Sequence, residues 1–400
     1  MTTARHTTLV EHARHAFSAL SHRPRVPWYR LSAPGWSPAR RILALFAITW
    51  LPMFAFAVAQ GVAIGPTPRG SFLLDFATYA RFFIGIPALI AAETVIDPRL
   101  QLAIRRFVDD HFVRPADLDA FERARGRLER LRASPVISML IAGLAVFGAW
   151  RLTIESERGL AADSWQLIHF GHGGHVLPYS LAAIWNHMVA VPVILFLAYR
   201  WIWRILIWAV FLTKVARLDL DLVPTHADGT GGLGFLEETH RSYAVLALAV
   251  SSVIWADAAF RVVYEHASLG AFERQAIVLL VLMQLLCLGP LLVFCPLLAR
   301  SRRAGVMSYG SLVVHYNRDF QEKWLGDAST EQGELLGAAD IQSLADMGTG
   351  FSRVIEMRPI PFGRRAMLTV AIATILPALP LLVLVMPMNE LIRAMAKAAL

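Results

Sequence analysis

Runs of apolar residues near twenty in length, separated by short polar stretches rich in arginine, dominate the chain's hydrophobic pattern. A helix rises about 1.5 Å per residue, so such a run can cross roughly 30 Å of hydrocarbon. The pattern predicts seven spans, at residues 42–63, 75–96, 136–154, 182–200, 243–263, 276–299 and 367–388. The fourth continues as a helical extension to residue 213. Pro52, Pro87, Pro192, Pro290 and Pro377 fall inside spans, where a missing N–H and a ring clash disturb the helix. The expected fold is an all-α polytopic transmembrane helix bundle. A basic segment (1–41) precedes six spans (42–299). A helical segment (300–366) then leads to the last span and a short tail (367–400).

Composition agrees with this class: 56% of residues are hydrophobic, 17% are charged, and there are two cysteines. Cys287 and Cys295 lie eight residues apart in one apolar run, about 12 Å along a helix and too far for a disulfide. The net charge of +8 is better explained by cytoplasmic loops and anionic lipid at that face than by nucleic acid. Lys and Arg sort sharply by loop. Residues 1–41 hold seven, 97–134 nine, 214–242 three and 300–366 nine, whereas 64–74, 155–181 and 264–275 hold one each. Rich and poor loops alternate, which places the rich ones and the N-terminus in the cytoplasm. The basic, proline-broken beginning reads as a cytoplasmic segment and not as a secretory signal. Splitting residues 182–213 into two spans would export the nine-charge segment, so one long helix is preferred.

Three groups of residues are candidates for chemistry. The stretch DLDLVPTHADGTGGLGFLEETH, residues 219–240, places His226, Asp228, Glu237 and His240 around four glycines. Glu237 and His240 share a helix face at i,i+3, so the four could hold a divalent metal ion. Equally, Asp228 and the glycines could form a tight turn capping the fifth span. A phosphate loop needs Lys-Ser/Thr after its glycines, and none follows; no βαβ unit supports a dinucleotide site. On the opposite side, His169, His172 and His175 form HFGHGGH, either a loose chelator or a solvated loop. The third group is Asp75, Arg81, Arg151, His187, Asp257 and Arg261, all placed near the outer ends of spans. Ionisable groups there either line a water-filled vestibule or neutralise one another, as Asp257 and Arg261 can at i,i+4.

The segments PTHADGTGGLGFL, YGSLVVHYNRDFQEKW and LGAADIQSLADM resemble those of a group of uncharacterised bacterial multi-pass inner-membrane proteins. The resemblance spans the second half of the chain. It implies a bacterial inner-membrane location and carries no activity. The expected function is a homo-oligomeric channel or transporter for a small ion or polar solute, with the outer group as its vestibule. Alternatives are a membrane enzyme with the cytoplasmic metal site, and a scaffold or sensor that binds a cytoplasmic partner.

Overall fold

The computed structural model describes residues 36–157, 164–167, 179–325 and 339–381. Among them are seven helical stretches long and apolar enough to cross a membrane, one at each predicted span. The protein is thus an all-α polytopic bundle. The spanning elements are α1 (Pro38–Ala59), α2 (Phe76–Asp109), α4 (Pro135–Glu157), α5 (Leu181–Val215), α7 (Ala244–Glu265), α8 (Glu273–Leu288) and α11 (Arg364–Ile375). Between them lie α3 (Leu118–Ala133), α6 (Gly234–Arg241), α9 (Cys295–Leu325) and α10 (Ala339–Glu356). The region 182–213 is one continuous helix, as the charge count requires. The alternating run 219–223 does not form a strand; an isolated bridge joins Leu220 to Val113. HFGHGGH and the first 35 residues lie outside the described residues.

Lipid tails are as apolar as the helices, so close packing and hydrogen bonds hold such a bundle together. Small residues line its contacts. Ala145, Ala149, Ala182, Ala183, Ala247 and Ala258 are buried, and a Cβ on Gly85 would stand 3.0 Å from Val253 Cγ2. Large apolar side chains face outward instead, among them Met139, Leu140, Leu144 and Phe147 on α4. Tryptophan indoles tie spans together: Trp201 Nε1 donates to Leu89 O, and Trp255 Nε1 to Thr374 O.

Each intramembrane proline has a local answer. Pro52 deprives Ile48 O of its helical donor, and Trp185 Nε1 from α5 donates to that oxygen at 3.0 Å. Before Pro87 and Pro192 the helix widens into π-turns at Ala80–Gly85 and Asn186–Ala190. There the N–H groups of Ile86 and Val191 reach back five residues, to Arg81 O and Asn186 O. Pro290 and Pro377 sit in 3-10 turns.

The loops separate by charge. At one end the 97–134, 214–242 and 300–366 segments join: Asp219 pairs with Arg114, Asp221 N–H donates to Phe112 O, and Arg358 N–H donates to Gly229 O. At the other end the poor loops meet: Trp165 N–H donates to Arg69 O, and Arg69 approaches Glu265 at 3.8 Å. An aromatic cluster centred on Phe107, packed by Phe121, Phe235 and Phe294, stiffens the arginine-rich end.

Candidate functional site

Among the described residues, the densest set of partly buried charges lies at the arginine-rich end, between two spans and their flanking segments. Glu93 and Asp97 stand at i,i+4 on α2, and Arg200 and Arg204 stand at i,i+4 on α5. That spacing puts each pair on one helix face, so the two helices present matching rungs of opposite sign. Arg41 from the start of α1 and Arg132 from the end of α3 complete the group. Glu93 accepts from Arg41 at 2.7 Å, from Arg204 at 3.4 Å, and from Arg200. Asp97 accepts from Arg204 and Arg132. Each of the four carboxylate oxygens therefore meets a guanidinium. Arg204 bridges both acids and also lies over the Trp201 ring, its Cζ 4.0 Å from the centroid.

Most of these side chains are withdrawn from solvent: Arg204 is 8% exposed, Arg41 13% and Glu93 16%, whereas Arg132, at 36%, stands at the more open edge. Desolvating charges is costly unless each finds partners, which explains why both acids are saturated. Yet the signs do not balance. Among the described residues, four guanidiniums face two carboxylates, and they border a cavity of about 180 Å³. Arg41 Nε is buried and has no hydrogen-bond partner among the described residues. Trp36 and Trp203 also line the cavity, as do Ser134 and Ser138 from the start of α4.

The glycine-rich stretch is built around Asp228. Its Oδ1 accepts the N–H groups of Thr230 (2.8 Å) and Gly232 (3.1 Å), and its Oδ2 accepts that of Gly234 (2.7 Å), at the start of α6. Burial opposes the charge, but these backbone donors outweigh it and hold the Asp228 carboxyl below its ordinary range. Gly232 has φ +99°, and a Cβ there would stand 2.5 Å from the Phe112 ring. Arg358 Nη2 donates to Asp228 O at 3.2 Å, which locks the turn to the segment after α10. A second, more open cavity of about 580 Å³ lies alongside, lined in part by Arg106, His111, Asp221 and His226.

The four proposed metal ligands do not converge. His226 Nδ1 lies 3.0 Å from Asp228 Oδ1, but Glu237 faces Arg358 at 3.8 Å. His240 is fully buried and points elsewhere. Trp208 Nε1 donates to His240 Nε2 at 2.9 Å, and His240 Nδ1 lies 2.6 Å from Cys287 O. An indole only donates, so Nε2 is the acceptor and Nδ1 carries the proton. His240 thus joins α5, α6 and α8 as a neutral strut. No group of three or more metal-ligating side chains occurs among the described residues. The spacing reading is corrected accordingly: the glycine turn consumes the Asp228 carboxylate, and helix packing consumes the His240 ring.

The outer group is also divided. Asp75 caps the start of α2, accepting from Thr78 N–H and Thr78 Oγ1, and receives Trp165 Nε1 at 3.2 Å. Asp257 and Arg261 pair at 3.0 Å with both side chains 54% exposed, on the outside of the bundle. His187 Nδ1 lies 3.0 Å from Thr153 Oγ1, and Arg151 is exposed on α4. Arg81 is half-buried in the α2 π-turn. None of the six lines either cavity described here. Among the described residues these contacts do not gather the six into one vestibule; capping and surface pairing account for Asp75, Asp257 and Arg261.

The arginine–carboxylate network is the part that sequence reading missed. Near the end of a long apolar helix, Arg200 and Arg204 carry the sequence signature of arginines snorkelling to the interface. The available signal was complementarity: two acids at i,i+4 in one span against two arginines at i,i+4 in another. Compared with protein-family models, curated proteins and solved structures, the chain matches none of them.

Proposed function

We propose that the protein is a channel or transporter for a small anionic solute in the bacterial inner membrane, with its arginine-rich end in the cytoplasm. One observation carries this reading: where the spans meet the arginine-rich end, four guanidiniums border a cavity that only two carboxylates share among the described residues. Ionisable groups at membrane depth are expensive and recur along solute paths. An excess of positive charge held in a low-dielectric cleft attracts anions and raises their local concentration. Farther along the bundle, the π-turns of α2 and α5 carry Arg81, Asn186 and His187, and Asn186 Oδ1 is buried without a partner among the described residues. Such widened turns recur at functional sites. The positive-inside bias supports the orientation, and a homo-oligomer in the bilayer is part of the same reading.

Flux into proteoliposomes tests it. Purified protein should accelerate uptake of chloride or inorganic phosphate over empty vesicles, and Arg200→Gln should slow that uptake. Absence of flux for anions, cations and protons alike removes the reading.

A further inference from the structure

The cavity bordered by the network has two chemically different walls. One is cationic: among the described residues, Arg41, Arg132, Arg200 and Arg204 bring two more positive charges than Glu93 and Asp97 cancel. The Arg41 guanidinium contributes a buried N–H at Nε that has no acceptor among the described residues. A buried donor without an acceptor keeps its full desolvation cost, so an acceptor at this point would be strongly favoured. The other wall is apolar. Ile137 and Ile141, one helical turn apart on α4, line the cavity below the Ser134 and Ser138 hydroxyls. They belong to a helix whose neighbouring residues Met139, Leu140 and Leu144 are exposed on the bundle surface. The apolar wall therefore leads from the arginines towards the hydrocarbon. Trp36, 45% exposed, and Trp203 line the cavity too, the residue type that settles at headgroup depth.

A ligand that satisfies both walls is anionic at one end and apolar at the other. A free inorganic anion would use the guanidiniums and leave the isoleucine wall unused. We infer that this cavity binds the phosphate group of an anionic lipid, with its acyl chain running along Ile137 and Ile141. The phosphate oxygens would accept from Arg41 Nε and from the outer N–H groups of Arg41 and Arg132, in the forked geometry that arginine offers to phosphate. The lipid would then rest as a wedge between α1, α4 and α5. This inference shares with the proposed function only the premise that the cavity is an anion site; it does not require that anything be transported.

The test is retention of lipid by the full-length protein, read by native mass spectrometry after reconstitution in vesicles of phosphatidylglycerol and phosphatidylcholine, mixed in equal parts, and mild detergent exchange. The expected result is one retained phosphatidylglycerol per chain in preference to phosphatidylcholine, with Arg41→Gln weakening retention about tenfold, the loss of one charge-assisted hydrogen bond. Ser138→Phe leaves every network ion pair in place and fills the cavity. It should abolish retention, and it carries the test if Arg41→Gln does not fold. Equal retention of both lipids, or full retention by Ser138→Phe, overturns the inference. So does protection of the protein by inorganic phosphate alone, with no retained lipid, because that outcome assigns the site to a free anion. Lipid retention without flux would sink the transport reading and leave this one standing.

Discussion

Replacing Glu93 by Gln perturbs the network where its connections are densest. Glu93 accepts from three arginines, two of them on α5 and one on α1, and it is 16% exposed. Glutamine keeps the shape and one acceptor oxygen but removes the charge, so four guanidiniums would face the single carboxylate of Asp97. Removing one partner of a buried ion pair costs about 3–5 kcal/mol, because the remaining charge stays desolvated. Arg41 and Arg200 retain slight exposure, at 13% and 17%, which favours the lower end, about 3 kcal/mol. That is on the order of a hundredfold in the unfolding equilibrium. Unfolding in mixed micelles, followed by tryptophan emission, reads it directly, since Trp201 and Trp203 flank the network. Adding Arg200→Gln to Glu93→Gln removes part of the stranded charge, so the double variant should be more stable than the sum of the two singles by about 1–2 kcal/mol. A Glu93→Gln cost below about 1 kcal/mol, with additive singles, would show that these charges are hydrated and do not form the desolvated group described here.

Other consequences concern the glycine turn and the buried histidine. Asp228→Asn turns one acceptor into a donor facing Gly234 N–H and should cost about 2 kcal/mol locally, seen as faster hydrogen exchange at residues 230–236. The Asp228 carboxyl is held below its ordinary value of about 3.9, so its contribution is fully present above that pH and is lost only as pH falls through the lower folded value. In a His226→Gln background, which removes the imidazole beside Asp228, exchange in this turn should therefore be constant from neutral pH to about pH 5, after correction for intrinsic rates, and rise only in stronger acid; a rise near pH 6 in that background would contradict the assignment. Gly232→Ala combines a left-handed φ with a clash on Phe112 and should destabilise by about 3 kcal/mol, part of it recovered by adding Phe112→Leu. His240→Ala leaves Trp208 N–H and Cys287 O unpaired and should cost about 3 kcal/mol in unfolding free energy, with metal content unchanged from wild type.

Much of this architecture was legible because membrane spans depend on local quantities. Length and hydropathy located all seven spans, and the arginine count assigned each loop to an end, where the pairs Arg114–Asp219 and Arg69–Glu265 now show the loops meeting. The Asp228 turn was one of two readings of the same residues, and the backbone donors choose it over a metal site. What periodicity could not show was which helix faces which. Arg204 has the same sequence signature whether it snorkels to the interface or spans two acids on a neighbouring helix; only the packing of α2 against α5 distinguishes them. The outer candidates erred in the opposite direction. Depth alone put Asp75 and Asp257 together, whereas the contacts make one a helix cap and the other half of an exposed pair.

The most direct test is the sidedness on which the placement of the arginine network depends. In a chain whose Cys287 and Cys295 are replaced by alanine, single cysteines are introduced by Glu322→Cys on α9 and Glu273→Cys at the start of α8, both exposed positions at opposite ends of the bundle. A membrane-impermeant thiol reagent added to spheroplasts should label the Glu273→Cys chain at once and the Glu322→Cys chain only after lysis. Labelling of Glu322→Cys in intact spheroplasts would put the arginine-rich end outside, and the cavity with it.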